Sequence, residues 1–127
     1  IRRPGGNLPV MTKIPAPGAG TDTETLTVAE MLGGIYVQTP TVATTCTTPT
    51  GTQITAALGA NLAAGDSFDF CLINLGGAGD IITFTAAADV SIVGSATVDD
   101  PGADINSSGV FRFRYSGANV WIAYRIS

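Results

Sequence analysis

Alternation is the sharpest pattern in this chain. Along "VFRFRYSGANVWIAYRIS", residues 110–127, Val110, Arg112 and Arg114 alternate with Phe111, Phe113 and Tyr115. After "SGAN" the alternation resumes through Val120, Ile122, Tyr124 and Ile126. A period of two marks a strand, because successive side chains leave opposite faces. Phe111, Phe113 and Tyr115 are expected to face a core. The second face is expected to carry Arg112, Arg114, Trp121 and Arg125, three of the six basic residues and the one Trp. "DSFDFCLINL" has the same period, with Phe68, Phe70 and Leu72 on one side and Ser67, Asp69, Cys71 and Ile73 on the other. Shorter runs, "GIYVQ", "TVATTCT", "DIITFTA", "VSIVG" and "ATV", also read as strands, and the glycines of "LGGAGD" as a hairpin turn. Short strands with Gly-rich punctuation predict an all-β domain, a single antiparallel β-sandwich or jelly-roll-like barrel.

Two segments break the pattern. In "TLTVAEMLGG", Thr27 and Glu30 have capping-box spacing, and Gly33-Gly34 should end the helix within one or two turns. In "TGTQITAALGA", Thr50 and Gln53 repeat that spacing, Ile54, Ala57 and Leu58 form a stripe, and Gly59 stands where a left-handed cap is wanted. Residues 1–24 hold four of the seven prolines. They predict an extended N-terminal arm without a core of its own, leaving 25–127 as the β-sandwich domain. "VDDPGADINSSG" reads as a loop. A Thr-rich bias runs through the chain, and no internal repeat stands out.

Composition changes the picture in one respect. Apolar residues make up 45% and charged ones 13%, about half the usual ~25%. A surface with so few charges is expected to be covered in part by other copies of the chain. A net charge of −4 argues against binding nucleic acid through its phosphates. No apolar run approaches the ~18 residues of a membrane span, and residues 1–24 have no signal-peptide core, so neither a membrane nor export is expected. Cys46 and Cys71 are too few for a disulfide framework or a zinc site, and both are expected as free thiols.

Candidate chemistry is sparse. Without histidine the chain lacks the commonest general base and zinc ligand. Its single lysine, Lys13, falls in the arm. Asp66 and Asp69 lie on opposite faces of one strand, which separates a carboxylate pair. Asp99, Asp100 and Asp104 share a loop without the spacing of a calcium site. Neither an enzyme, a cofactor nor a metal is expected. Arg and Trp on a strand face point instead to protein contact. A sugar platform of Trp121 and Tyr124 is weakened by their opposite faces.

Several stretches carry a family resemblance. "GDSFDF" at 65–70, "INL" at 73–75, "ITFTAAADVSIVG" at 82–94, "FRFR" at 111–114 and "WIAYRIS" at 121–127 are similar to a group of small virion proteins of tailed bacteriophages. The upstream "LTVAEMLGGIYVQTPTVATTCTTPTGTQITAAL" fits the same pattern, so the likeness spans roughly residues 26–127. Members resemble capsid decoration, or cement, proteins. The resemblance implies a homotrimer on the outer surface of the virion, assembled in the host bacterial cytoplasm and bound to the major capsid protein. On it, Arg2, Arg3 and Lys13 of the arm would meet acidic capsid groups, and Arg112, Arg114, Trp121 and Arg125 would line subunit or capsid contacts. The alternatives are a receptor-binding or tail-fibre/spike accessory module, and a carbohydrate-binding module.

Overall fold

The computed structural model describes residues 13–103 and 107–127. Strands β1 (Gly18–Gly20), β3 (Ile35–Gln38), β5 (Ser67–Asn74), β7 (Val90–Val93), β9 (Ser108–Gly117) and β10 (Val120–Arg125) form a six-stranded sheet in the order β1-β3-β5-β9-β10-β7. Strands β2 (Glu24–Thr25), β4 (Thr44–Thr47), β6 (Ile82–Thr85) and β8 (Thr97–Val98) form a four-stranded sheet in chain order. The chain visits the two sheets in turn until β9. Helices α1 (Val28–Leu32) and α2 (Gly51–Leu58) interrupt the first and second circuits.

Strand direction overturns the expected antiparallel sandwich or jelly-roll-like barrel. Strands β1, β3 and β5 pair parallel, and so do β2, β4 and β6. Their three circuits make a parallel coil, each circuit laying one strand on each sheet. Antiparallel pairing comes later, in β5 with β9, β9 with β10 and β6 with β8, while β7 joins β10 in parallel. The fold is therefore mixed α/β, with two mixed sheets and two helices. Alternation reports which face a residue takes, not which way its neighbour runs. Parallel neighbours need a crossover, and here each crossover includes a strand of the opposite sheet. For the same reason "LGGAGD" is not a hairpin turn: it carries the chain from β5 across to β6.

Buried amides hold these crossings. Gln38 and Asn74 occupy matching positions in successive circuits, each buried at the end of its strand. Asn74 Nδ2 donates to the carbonyls of Asp80 (2.8 Å) and Val98 (3.0 Å), and its Oδ1 accepts from Gly76 N at 2.7 Å. One side chain thus ties β5, the crossing and β8 together, satisfying groups that would be costly to bury alone.

Between the sheets, Phe84 of β6 packs on Phe70, Phe111 and Phe113 at centroid distances of 5.8, 4.6 and 6.2 Å. Leu72, Ile82, Val98, Cys46, Met31 and Ile54 complete the core. Both capping boxes form: Thr27 Oγ1 accepts from Glu30 N at 3.1 Å and Thr50 Oγ1 from Gln53 N at 3.2 Å, with each glutamate or glutamine side chain returning the bond. In the second helix only Ile54 of the expected stripe is buried. Gly59 has φ 89° and ψ −173°, positive but extended rather than left-handed helical. Part of the segment expected as an arm contributes strands, since Gly18–Gly20 and Glu24 pair within the coil.

Candidate interaction surface

Outward side chains of the six-stranded sheet form rows fixed by register. Ile35, Cys71 and Val110 make one row, and Val37, Ile73 and Ser108 the next. Asp69, Arg112, Tyr124 and Val93 make a third, and Ser67, Arg114, Ile122 and Ser91 a fourth. The aliphatic members are half-buried, apart from Val93 at 49% exposure. The result is a mixed face with aliphatic side chains in every row and its charges concentrated on Asp69, Arg112 and Arg114.

The charges are paired in part. Arg112 Nε and Nη2 donate to Asp69 Oδ1 and Oδ2 at 2.8 and 3.1 Å, a two-pronged contact that fixes both side chains. This hydrogen bond and the guanidinium charge hold the Asp69 carboxyl below its ordinary range, so the pair stays ionised at neutral pH. Both side chains are about half exposed, which leaves the pair little weight in stability. Arg114 makes no ion pair among the described residues.

Two expected members of this face lie elsewhere. Trp121 is buried, 1% exposed, in the core between the sheets. Its ring sits 5.0 Å from Tyr115 and 5.5 Å from Phe68, and its Nε1 donates to Thr55 Oγ1 at 3.1 Å. The cause is a register shift in the closing hairpin. Ala118 and Asn119 have φ of 52° and 66°, a two-residue turn that sets Gly117 opposite Val120. An irregularity then leaves Ser116 unpaired, so Trp121 faces Tyr115 instead of Ser116. One extra residue in one strand exchanges the faces of everything beyond it. Trp121 and Ala123 turn inward, and Ile122 and Tyr124 join Arg112 and Arg114 outside.

Arg125 is also drawn away from the face. It lies over the Phe111 ring at 5.1 Å and donates to the carbonyls of Ser95, Thr97 and Ser108, at 3.1, 2.8 and 3.5 Å. The guanidinium thereby stitches β10 to the strand β8 region of the other sheet through Nη1 and to β9 through Nη2, while Nε donates to the Ser127 carbonyl. Lys13 is exposed ahead of β1, and Arg2 and Arg3 lie outside the described residues. Reasoning from the sequence missed Ile122 and Tyr124; the left-handed preference of Asn119 was the available hint of a tight turn.

The cysteines are free and sit on different sides of the six-stranded sheet. Cys46 lies between the sheets, where burial and then the charges of Glu24 and Glu30 push its thiol up to about 12. Cys71 is half-buried on the outer face, and burial raises its thiol too. Ellman's reagent under native conditions is expected to spare Cys46 until the protein unfolds and to reach Cys71 wherever the outer face is uncovered; Cys46 reacting as fast as an uncovered Cys71 would contradict this placement.

Asp100 is buried and accepts from Gly79 N at 3.2 Å, while Asp104 lies outside the described residues. No group of three or more metal-ligating side chains occurs among the described residues. Comparison with protein-family models, with curated proteins and with solved structures finds no match to this chain.

Proposed function

We propose that this chain is a structural virion protein, a capsid decoration or cement protein that forms a homotrimer on the head of a tailed bacteriophage and braces its major capsid protein. The observation that carries this reading is the outer face of the six-stranded sheet. Val37, Ile73, Val110, Ile122 and Tyr124 spread aliphatic and aromatic area around an oriented ion pair, in a chain with few charges elsewhere. Faces of that kind mark contact surfaces, and charged groups near their centre set register between partners. The virion assignment rests on the resemblance of residues 26–127 to small phage proteins. Multivalency supplies the mechanism: three modest capsid contacts on one trimer act together, so binding favours assembled lattice over free subunits.

The test uses light scattering on the full chain at micromolar concentration. A trimer is expected, with Cys71 shielded from thiol reagents in the trimer. Ile122→Lys places an unpaired charge in the contact, which at roughly 2–3 kcal/mol weakens association ~30- to 150-fold and yields monomer. A wild-type trimer unaffected by Ile122→Lys, with Cys71 reacting freely, would move the contact off this face.

A further inference from the structure

The opposite side of the molecule has a different regularity. Outward positions on the four-stranded sheet are Thr25 on β2, Thr45 and Thr47 on β4, Thr83 and Thr85 on β6, and Thr97 on β8. Inward neighbours such as Cys46, Phe84 and Val98 are buried. Every outward strand position on this sheet is therefore threonine. Register aligns them in two columns, Thr45–Thr83–Thr97 and Thr25–Thr47–Thr85. Threonine suits an exposed strand, yet strand preference alone does not account for the pattern. The outward positions of the six-stranded sheet in the same chain hold Ile, Val, Ser, Cys, Tyr, Arg and Asp.

We infer that this threonine face binds the surface of ice. Neighbouring strands lie ~4.8 Å apart and alternate residues along a strand ~6.7 Å apart. The columns therefore repeat hydroxyl and methyl groups in two dimensions, with spacings close to the oxygen repeats on exposed faces of the ice lattice. Each threonine offers a hydroxyl that can enter a water network and a methyl that orders water beside it. Its branched β-carbon restricts χ1, so the array is set before it meets a surface and loses little freedom on binding. The face carries no charged strand residue; Ala43 and Ile81 adjoin Thr45, Thr83 and Thr97. An uncharged lattice is its complement. Two columns of three threonines cover far less than the ~800 Å² per partner of a standard protein contact, and no aromatic or arginine anchor stands among them. A flat sugar would want an aromatic platform, which this face also lacks.

Ice recrystallisation and thermal hysteresis, measured on the full chain at micromolar concentrations, test the inference. Wild-type protein is expected to halt crystal coarsening and to shape growing crystals. Thr83→Lys, at an exposed central position, is expected to raise the effective concentration at least tenfold. Thr47→Val keeps the methyl array and the strand preference, and is expected to retain most of the activity. Ala64→Lys, exposed in the loop between α2 and β5 beside β9 of the other sheet, is expected to change nothing. Coarsening at the rate of an inert protein control in the wild type would overturn the inference. So would equal activity in Thr83→Lys, or a Thr83→Lys variant whose only change is a smaller oligomer mass, which would assign the face to another copy of the chain. The assembly proposed above uses the other sheet, so its failure leaves this test intact.

Discussion

Trp121→Ala is expected to destabilise the protein by about 3–5 kcal/mol, the range for removing a fully buried aromatic ring. The ring fills the space beneath the closing hairpin, against Phe68 and Tyr115, and its indole nitrogen is the polar link from β10 to Thr55 in α2. Truncation opens a cavity and also strips Thr55 of that bond. For a domain of this length each kcal/mol moves the melting temperature by several degrees, so a loss of 10 °C or more is expected. Arg114→Ala, one face away on the neighbouring strand, is expected to stay within about 0.5 kcal/mol in the monomer. Urea or thermal unfolding of both variants decides the matter. If Trp121→Ala cost less than about 1 kcal/mol, the inward placement of the tryptophan and the hairpin register behind it would fall together.

The second large effect sits where that hairpin meets α2. Glycine at the first turn of a helix is ordinarily a weak choice, and replacing it with alanine gains up to ~1 kcal/mol. At Gly51 the sign reverses. An added Cβ would stand 2.0 Å from the carbonyl oxygen of Asn119 and 2.8 Å from that of Asp89. Both are backbone atoms, one in the β9–β10 turn and one just ahead of β7, so neither can swing aside. Gly51 N meanwhile donates to Ala88 O at 2.9 Å, which pins the helix start to the same segment. Gly51→Ala is expected to cost 3 kcal/mol or more, as overpacking against fixed backbone does at its upper end. Ala57→Gly on the exposed side of the same helix serves as the contrast, expected at about 1 kcal/mol. Chemical denaturation distinguishes the two; a neutral or stabilising Gly51→Ala would mean that the turn is not seated on α2.

How far the sequence led can be judged at individual residues. The capping boxes at Thr27 and Thr50 were legible because both partners lie within four residues of each other. Phe68, Phe70 and Leu72 were legible as one row because face selection is local too. Strand direction was not: β3 and β5 are brought together by contacts across some thirty intervening residues, and nothing in "GIYVQ" or "DFCLIN" distinguishes a parallel neighbour from an antiparallel one. The site suffered from a smaller cause. Arg112 and Arg114 were placed on the outer face by simple alternation within β9, and they lie there. Extending the count through the turn required knowing that Ser116 goes unpaired, a property of hairpin geometry rather than of any residue in it. The contacts of Arg125 are hidden from the sequence for another reason: its acceptors are main-chain carbonyls of Ser95, Thr97 and Ser108, and carbonyls carry no signature in a sequence.

The parallel coil makes the molecule extensible in a way a closed barrel is not. Each circuit from one sheet to the other and back adds one strand to both, so an inserted circuit would lengthen the two faces together by a single strand spacing. The aliphatic surface and the threonine columns are in this sense geared to each other. Variation by whole circuits would enlarge both without disturbing the hairpin that closes the far end, whereas insertion of a single residue within a strand would reverse every side chain beyond it.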